Sequence, residues 1–72
     1  MKALADSLMA EIARVRDDVL PRYTALEGLP GVNVSFAVAG MRRDLDAATR
    51  ALAEQDAVEC LRLLDSLRGW TT

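Results

Sequence analysis

The apolar positions of this chain follow helical spacing in three stretches. In the first stretch they are spaced by 4, 4, 3, 4, 4 and 3 positions, at Leu4, Leu8, Ile12, Val15, Val19, Tyr23 and Leu26. This spacing matches the pitch of a straight α-helix and predicts a first helix over about residues 3–27. Pro21 lies inside it and removes one main-chain hydrogen bond, so we expect one kinked helix rather than two separate helices.

A second helix is predicted over about residues 34–54, after the helix-ending segment Gly28-Leu29-Pro30-Gly31, with Asn33 as its N-cap. Its main apolar line has heptad spacing and comprises Val34, Val38, Met41, Leu45, Ala48 and Leu52. A second line of small residues runs beside it, at Ala37, Gly40, Ala47 and Ala51. A helix that is apolar over half its circumference needs more than one neighbour, and Gly40 favours a close approach. Whether the small residues pack within the chain or between chains stays open.

The apolar pattern changes side between Leu52 and Leu61, which would point in opposite directions on one unbroken helix. Asp56 and Glu59 have the spacing of a capping box, so the chain is expected to turn at Gln55-Asp56. The third helix then covers about residues 57–68 and buries Leu61, Leu64 and Leu67, with Val58, Cys60 and Leu63 at its flanks. Gly69 is expected to be a left-handed helix end, with Trp70 folded back on Leu64.

These patterns predict an all-α fold in a single domain over residues 1–72. The architecture is a three-helix bundle, with a long Pro-kinked first helix followed by a helical hairpin. A chain of 72 residues is near the lower limit for a self-sufficient core, and its 51% apolar residues are difficult to hide in a monomer. Cys60 is the only cysteine, so no internal disulfide supports the fold. We therefore expect a homo-oligomer.

The residue inventory argues against catalysis and against a metal or cofactor site. The chain has no histidine and one cysteine, which we expect to be a buried and inert thiol. Asp17 and Asp18 diverge by about 100° on a helix and do not form a carboxylate pair. We thus predict a non-enzymatic protein with no catalytic residues, no cofactor and no metal ligands.

The expected location is the cytoplasm. Acidic residues interrupt the N-terminal segment early, which is unlike a signal peptide. The longest apolar stretch covers residues 34–41, whereas a membrane-spanning helix needs about 20 residues. No membrane partner is predicted.

The candidate partner-binding residues are Arg42, Arg43, Arg50, Phe36 and Trp70. The three arginines stand around Asp46 at helical spacing, which fits either a solvated face of ion pairs or a patch that grips an acidic partner or a phosphate. Phe36 lies off the main apolar line and marks an interface if it is exposed. Trp70 fits a plug at the helix end better than a ligand platform.

Two alternative functions stay open. A nucleic-acid-binding regulator would use helix 2, the turn and helix 3, but Arg62 and Arg68 are balanced there by Glu59 and Asp65. The net charge of −2 also disfavours nucleic acid as a partner. A small-ligand binder or minimal enzyme would need an arginine-lined pocket between subunits, with Arg42 and Arg43 in its wall.

Several segments together resemble small uncharacterised helical proteins encoded by tailed phages and prophages. They are Leu20-Pro21-Arg22-Tyr23, Met41-Arg42-Arg43-Asp44-Leu45-Asp46-Ala47-Ala48, Ala51-Leu52-Ala53 through Asp56 and Val58, and Leu67-Arg68-Gly69. The likeness extends over about two thirds of the chain, from Val15 onward. Such relatives have glycine before the aspartate of the turn, where this chain has Gln55; the difference implies a strained left-handed residue and leaves a bent continuous helix open.

The resemblance implies a phage-related origin and no particular activity. Taken with the missing catalytic inventory and the apolar helix surface, it predicts an accessory factor that binds or modulates another intracellular protein.

Overall fold

A computed structural model shows an elongated helical rod of 44 × 16 × 16 Å. The structure describes residues 1–71. Its helical segments are α1 (Lys2–Arg14), a π-helical turn (Val15–Val19), α2 (Leu20–Leu26), α3 (Ser35–Glu54) and α4 (Ala57–Arg68). No strand occurs among residues 1–71, so the predicted all-α class is confirmed. Within the same range no helix is both long enough and apolar enough to cross a membrane.

The first helix runs without interruption from Lys2 to Leu26 and changes its hydrogen bonding just before Pro21. The N–H of Leu20 donates to the carbonyl of Val15, five residues back, which is the bond of a π-helical turn. A kink of the helix axis at Pro21 stays a prediction. Leu26 was expected on the buried face, but it is exposed. None of the residues of α2 is buried, although the helix packs against α3.

The start of α3 differs from the prediction by one residue. Val34 occupies the N-cap position and makes no side-chain cap, so the assignment of Asn33 as N-cap was wrong. The Oδ1 atom of Asn33 instead accepts hydrogen bonds from the backbone N–H of Ser35 at 3.2 Å and from its hydroxyl at 2.8 Å. Asn33 and Ser35 thus form a local turn, and α3 begins at Ser35, one residue later than predicted.

A full turn separates α3 from α4, which resolves the choice between a turn and a bend. Gln55 is left-handed, with φ 54° and ψ 37°. Its N–H donates to Leu52 O at 3.2 Å, and the N–H of Asp56 donates to Ala51 O at 3.0 Å. These two bonds form the Schellman arrangement that ends a helix. Asp56 then caps α4 by accepting from the N–H of Glu59 at 3.1 Å.

The buried face of α4 differs from the predicted one. Leu61 is 61% exposed, so its assignment to the buried face was wrong, and Val58, which was expected at the flank, is 78% exposed. The residues that α4 buries are Cys60, Leu63, Leu64 and Leu67. The left-handed turn at Gln55 sets the rotation of α4 so that this face contacts both α1 and α3. The spacing of the leucines in the sequence does not indicate how α4 is rotated about its own axis relative to α1 and α3.

The core lies between α1, α3 and α4, and it uses the small-residue line of α3. Gly40 and Ala51 are buried, while Ala37 and Ala47 pack against the core from its edge. The small residues therefore pack within the chain. The largest fully buried side chains are Leu8, Met41, Leu63, Leu67, Val15 and Cys60.

Candidate functional site

Four of the five predicted partner-binding residues lie on α3, where they form two groups. Phe36, Arg43 and Arg50 are spaced by seven residues and so lie along one flank of the helix. Arg42 faces the other way, where it lines a groove between α1 and α3 with Ile12, Arg16, Leu45, Asp46 and Thr49. The structure therefore does not bring the three arginines into one cluster.

Trp70 packs against the core and lies close to Gly40 on α3, while its contact with Leu64 stays a prediction. A Cβ atom built on Gly40 would be 3.0 Å from Cζ2 and 3.1 Å from Cη2 of the indole. Gly69 has φ −74° and is right-handed, so the predicted left-handed helix end was wrong. Without that reversal the chain continues past α4 and carries the indole across to α3.

A buried carboxylate fixes the indole in this position. Asp44 is 9% exposed, and its Oδ2 atom accepts one hydrogen bond from Trp70 Nε1 at 3.0 Å and another from Ser66 Oγ at 2.7 Å. A buried carboxylate is costly unless it is hydrogen-bonded in this way. Sequence reasoning missed this role of Asp44. The available signal was its place among Gly40, Ala47 and Ala51 on the small-residue line, where an exposed acid does not fit.

Two further contacts hold the end of α4 to the rest of the rod. Arg14 on α1 donates from Nη2 to the carbonyl of Leu67 at 3.0 Å, and its Nε donates to Glu11 at 2.7 Å. Tyr23 on α2 donates its hydroxyl to the carbonyl of Thr71 at 2.8 Å. The last turn of α4 and the segment after it are thus bound to α1, α2 and α3. These contacts make Trp70 a structural plug with a half-buried ring.

The arginines of α3 do not form the expected ion pairs. Among residues 1–71, no carboxylate lies within salt-bridge distance of Arg42, Arg43 or Arg50, and Asp46 pairs with none of them. The Nη2 atom of Arg43 lies 3.9 Å from the Cβ position of Gly40. The guanidinium of Arg43 therefore extends about one turn toward the N-terminus of α3 and lies beside Trp70. The solvated ion-pair face predicted around Asp46 is therefore not formed.

Besides the partly buried pair of Arg14 with Glu11, two exposed ion pairs form elsewhere. Arg62 donates to Glu59 at 3.0 and 2.8 Å, and these hydrogen bonds lower the pKa of Glu59 and raise the pKa of Arg62. Arg16 binds Asp17 at 2.8 and 3.0 Å in the same manner, which lowers the pKa of Asp17. The positive charge of Arg62 is thus already engaged, which weakens α4 as a helix that could bind DNA.

The end of the rod opposite the α3–α4 turn carries an apolar surface that the sequence pattern did not assemble. We call it the loop-end surface; it comprises Leu26, Leu29, Val32 and Phe36, all exposed. Two backbone hydrogen bonds between residues three apart shape this loop, from Leu29 N to Leu26 O at 3.1 Å and from Val32 N to Leu29 O at 3.2 Å. Phe36 follows in the first turn of α3 and is 91% exposed.

A second apolar surface lies on the outer side of α4. We call it the α4 hollow, a shallow depression of about 430 Å³ lined by Val58, Leu61, Arg62, Leu64, Asp65 and Arg68. Val58 and Leu61 give it an apolar floor that no other helix covers. Asp65 and Arg68 stand at its rim without an ion-pair partner among the described residues.

The ionisable side chains of residues 1–71 do not gather into a site with obvious chemistry. Cys60 is free and fully buried. No group of three histidine, cysteine or acidic residues in this range is placed to hold a metal ion. What the described surface offers is apolar area and arginine side chains.

The comparisons with known proteins give no relative. No family of known proteins matches the chain, no curated protein is similar to it, and no solved structure matches its fold.

Proposed function

We propose that this protein is a non-enzymatic accessory factor that binds a protein partner through its loop-end surface. The observation that carries the proposal is the 91% exposure of Phe36 in the first turn of a well-formed helix. Burying a phenylalanine side chain contributes about 1.5–3 kcal/mol, so a ring left in water is a strong candidate for an interface residue. Leu26, Leu29 and Val32 extend the same apolar area.

Arg43 adds a polar element to this surface. Seven residues from Phe36 on the same flank, its side chain reaches back toward Gly40, about one helical turn from the phenyl ring. Its charge has no ion-pair partner among residues 1–71. Aromatic residues and arginine are the types most enriched among the residues that dominate binding energy at interfaces. The arrangement therefore favours a partner with an apolar centre and a carboxylate beside it.

Trp70 supports this surface from below rather than forming part of it. By occupying the space over Gly40, it fixes the N-terminal half of α3 relative to α4. The phage or prophage origin and the cytoplasmic location implied by the sequence are part of the same proposal. They rest on the resemblance and on the N-terminal pattern.

Photo-crosslinking tests the proposal directly. Benzoylphenylalanine is placed at position 36 in one variant and at Thr49, an exposed position outside the surface, in a matched control. Both are expressed in bacterial cells and irradiated. We expect crosslinked species from position 36 and none from position 49. Equal yields at the two positions, or no crosslinked protein at position 36, would contradict the proposal.

A further inference from the structure

The most exposed aromatic ring and the α4 hollow lie far apart on the same chain. Trp70 lies at the level of Gly40, Phe36 is four residues beyond Gly40, and Leu61 is nine residues before Trp70. At 1.5 Å per residue the ring of Phe36 and Leu61 are about 20 Å apart along the rod. Phe36 therefore cannot enter the hollow of its own chain. The ring of Phe36 projects from the surface, the α4 hollow is concave, and both are apolar.

The charges beside the two features are complementary. Arg43 lies on the flank of α3 that carries Phe36, and Asp65 lies at the rim of the hollow. Neither has an ion-pair partner within residues 1–71. Glu27 is exposed next to Leu26, and Arg68 is exposed at the rim of the hollow. Each side thus offers one cation and one anion to the other. A contact between two loop ends would instead place Arg43 near its own copy.

We propose that the loop-end surface of one copy docks in the α4 hollow of a second copy, with Phe36 seated on Val58 and Leu61. This inference rests on the proposed function, since it names the partner of the same surface. The two contacting surfaces differ, so the interface is heterologous. A pair of copies keeps one free loop-end surface and one free hollow, so assembly continues head to tail into a ring or an open filament.

Complementary variants test this arrangement. Phe36→Asp destroys the loop-end surface and leaves the hollow intact, whereas Leu61→Asp does the opposite. Both positions are largely exposed, so the fold tolerates the change, and circular dichroism checks it. Thr49→Asp is the matched control at an exposed site outside both surfaces. The measurement is sedimentation velocity of each variant alone and of an equimolar mixture.

We expect the wild type and Thr49→Asp to sediment as species larger than 7.8 kDa. Each surface variant alone should be a monomer, and their mixture should form a one-to-one dimer that stops there. A mixture that stays monomeric overturns the inference, as does one variant that keeps the wild-type association. A monomeric wild type that still crosslinks a different protein at position 36 overturns only the head-to-tail inference. If position 36 crosslinks nothing, the proposed function fails as well.

Discussion

The indole of Trp70 lies close over Gly40, where a Cβ atom would be only 3.0 Å from Cζ2 and 3.1 Å from Cη2 of the ring. The contact joins the segment after α4 to the middle of α3. Because Trp70 Nε1 also donates to Asp44 at 3.0 Å, the ring has little freedom to move away. The close approach is therefore a fixed feature of the fold.

Gly40→Ala is expected to destabilise the protein by about 1 kcal/mol. Replacing glycine by alanine in a helix stabilises the folded state by about 1 kcal/mol. Crowding of the new methyl group against the anchored ring destabilises it by about 1–3 kcal/mol. The measurement is urea unfolding followed by tryptophan fluorescence. In a Trp70→Ala background the collision is absent, and Gly40→Ala should then stabilise. Stabilisation of similar size in both backgrounds would show that the ring does not constrain Gly40.

Asp44→Ala is expected to lower the free energy of unfolding by about 2 kcal/mol, since it leaves the indole N–H and the hydroxyl of Ser66 without their acceptor. The emission of Trp70 should shift to longer wavelength as the ring loosens. Asp46→Ala removes an exposed carboxylate with no salt bridge and is the matched control, with an expected change within about 0.5 kcal/mol. Equal effects at the two positions would contradict the anchoring role of Asp44.

Gln55→Gly is expected to stabilise the protein by about 1 kcal/mol. Gln55 has φ 54°, and a left-handed conformation costs a residue with a side chain about 1–2 kcal/mol that glycine does not incur. The same replacement one residue earlier, Glu54→Gly, falls in the last turn of α3 and should destabilise instead. Thermal unfolding of the pair checks the sign. A destabilised Gln55→Gly would mean that the turn is not left-handed in solution.

Arg62→Gln is expected to raise the pKa of Glu59 toward its ordinary value, because the hydrogen bonds from Arg62 hold that pKa low. A carboxyl group with a lowered pKa stabilises the folded state above its ordinary pKa. That stabilisation is lost as the pH falls through the lowered value. Carboxyl titration by NMR measures the shift, with Asp17 as internal control, since its own partner Arg16 is unchanged. If the pKa of Glu59 does not change, the pair does not persist in solution.

The sequence predicted helix type and position well where the apolar spacing was long and regular. The start of α4 at Ala57 and the turn before it followed from the capping pattern at Asp56 and Glu59. The close approach at Gly40 was also anticipated, but its partner was not, since that depends on the backbone of Gly69. A glycine after a helix can be left-handed or right-handed, and only the packing of Trp70 decides which.

The errors have a common physical origin in the relative rotation and length of the helices. Leu61 and Leu26 have apolar side chains at helical spacing, yet both are exposed. The buried face of α4 is set by the turn at Gln55, and no residue of α2 is buried. Of the five candidate site residues, Phe36 was predicted to mark an interface if exposed, and it is exposed. The α4 hollow could not be predicted, because Leu61 was assigned to the core and Val58 to the flank of the buried face.

The central claim is that the loop-end surface of one copy docks in the α4 hollow of a second copy. The most direct test is sedimentation velocity of the wild-type protein over a hundredfold range of concentration. We predict a weight-average mass that rises above 7.8 kDa with concentration and returns to that mass in Phe36→Asp at every concentration. A wild-type mass of 7.8 kDa at all concentrations, or an association that Phe36→Asp leaves unchanged, would contradict the claim.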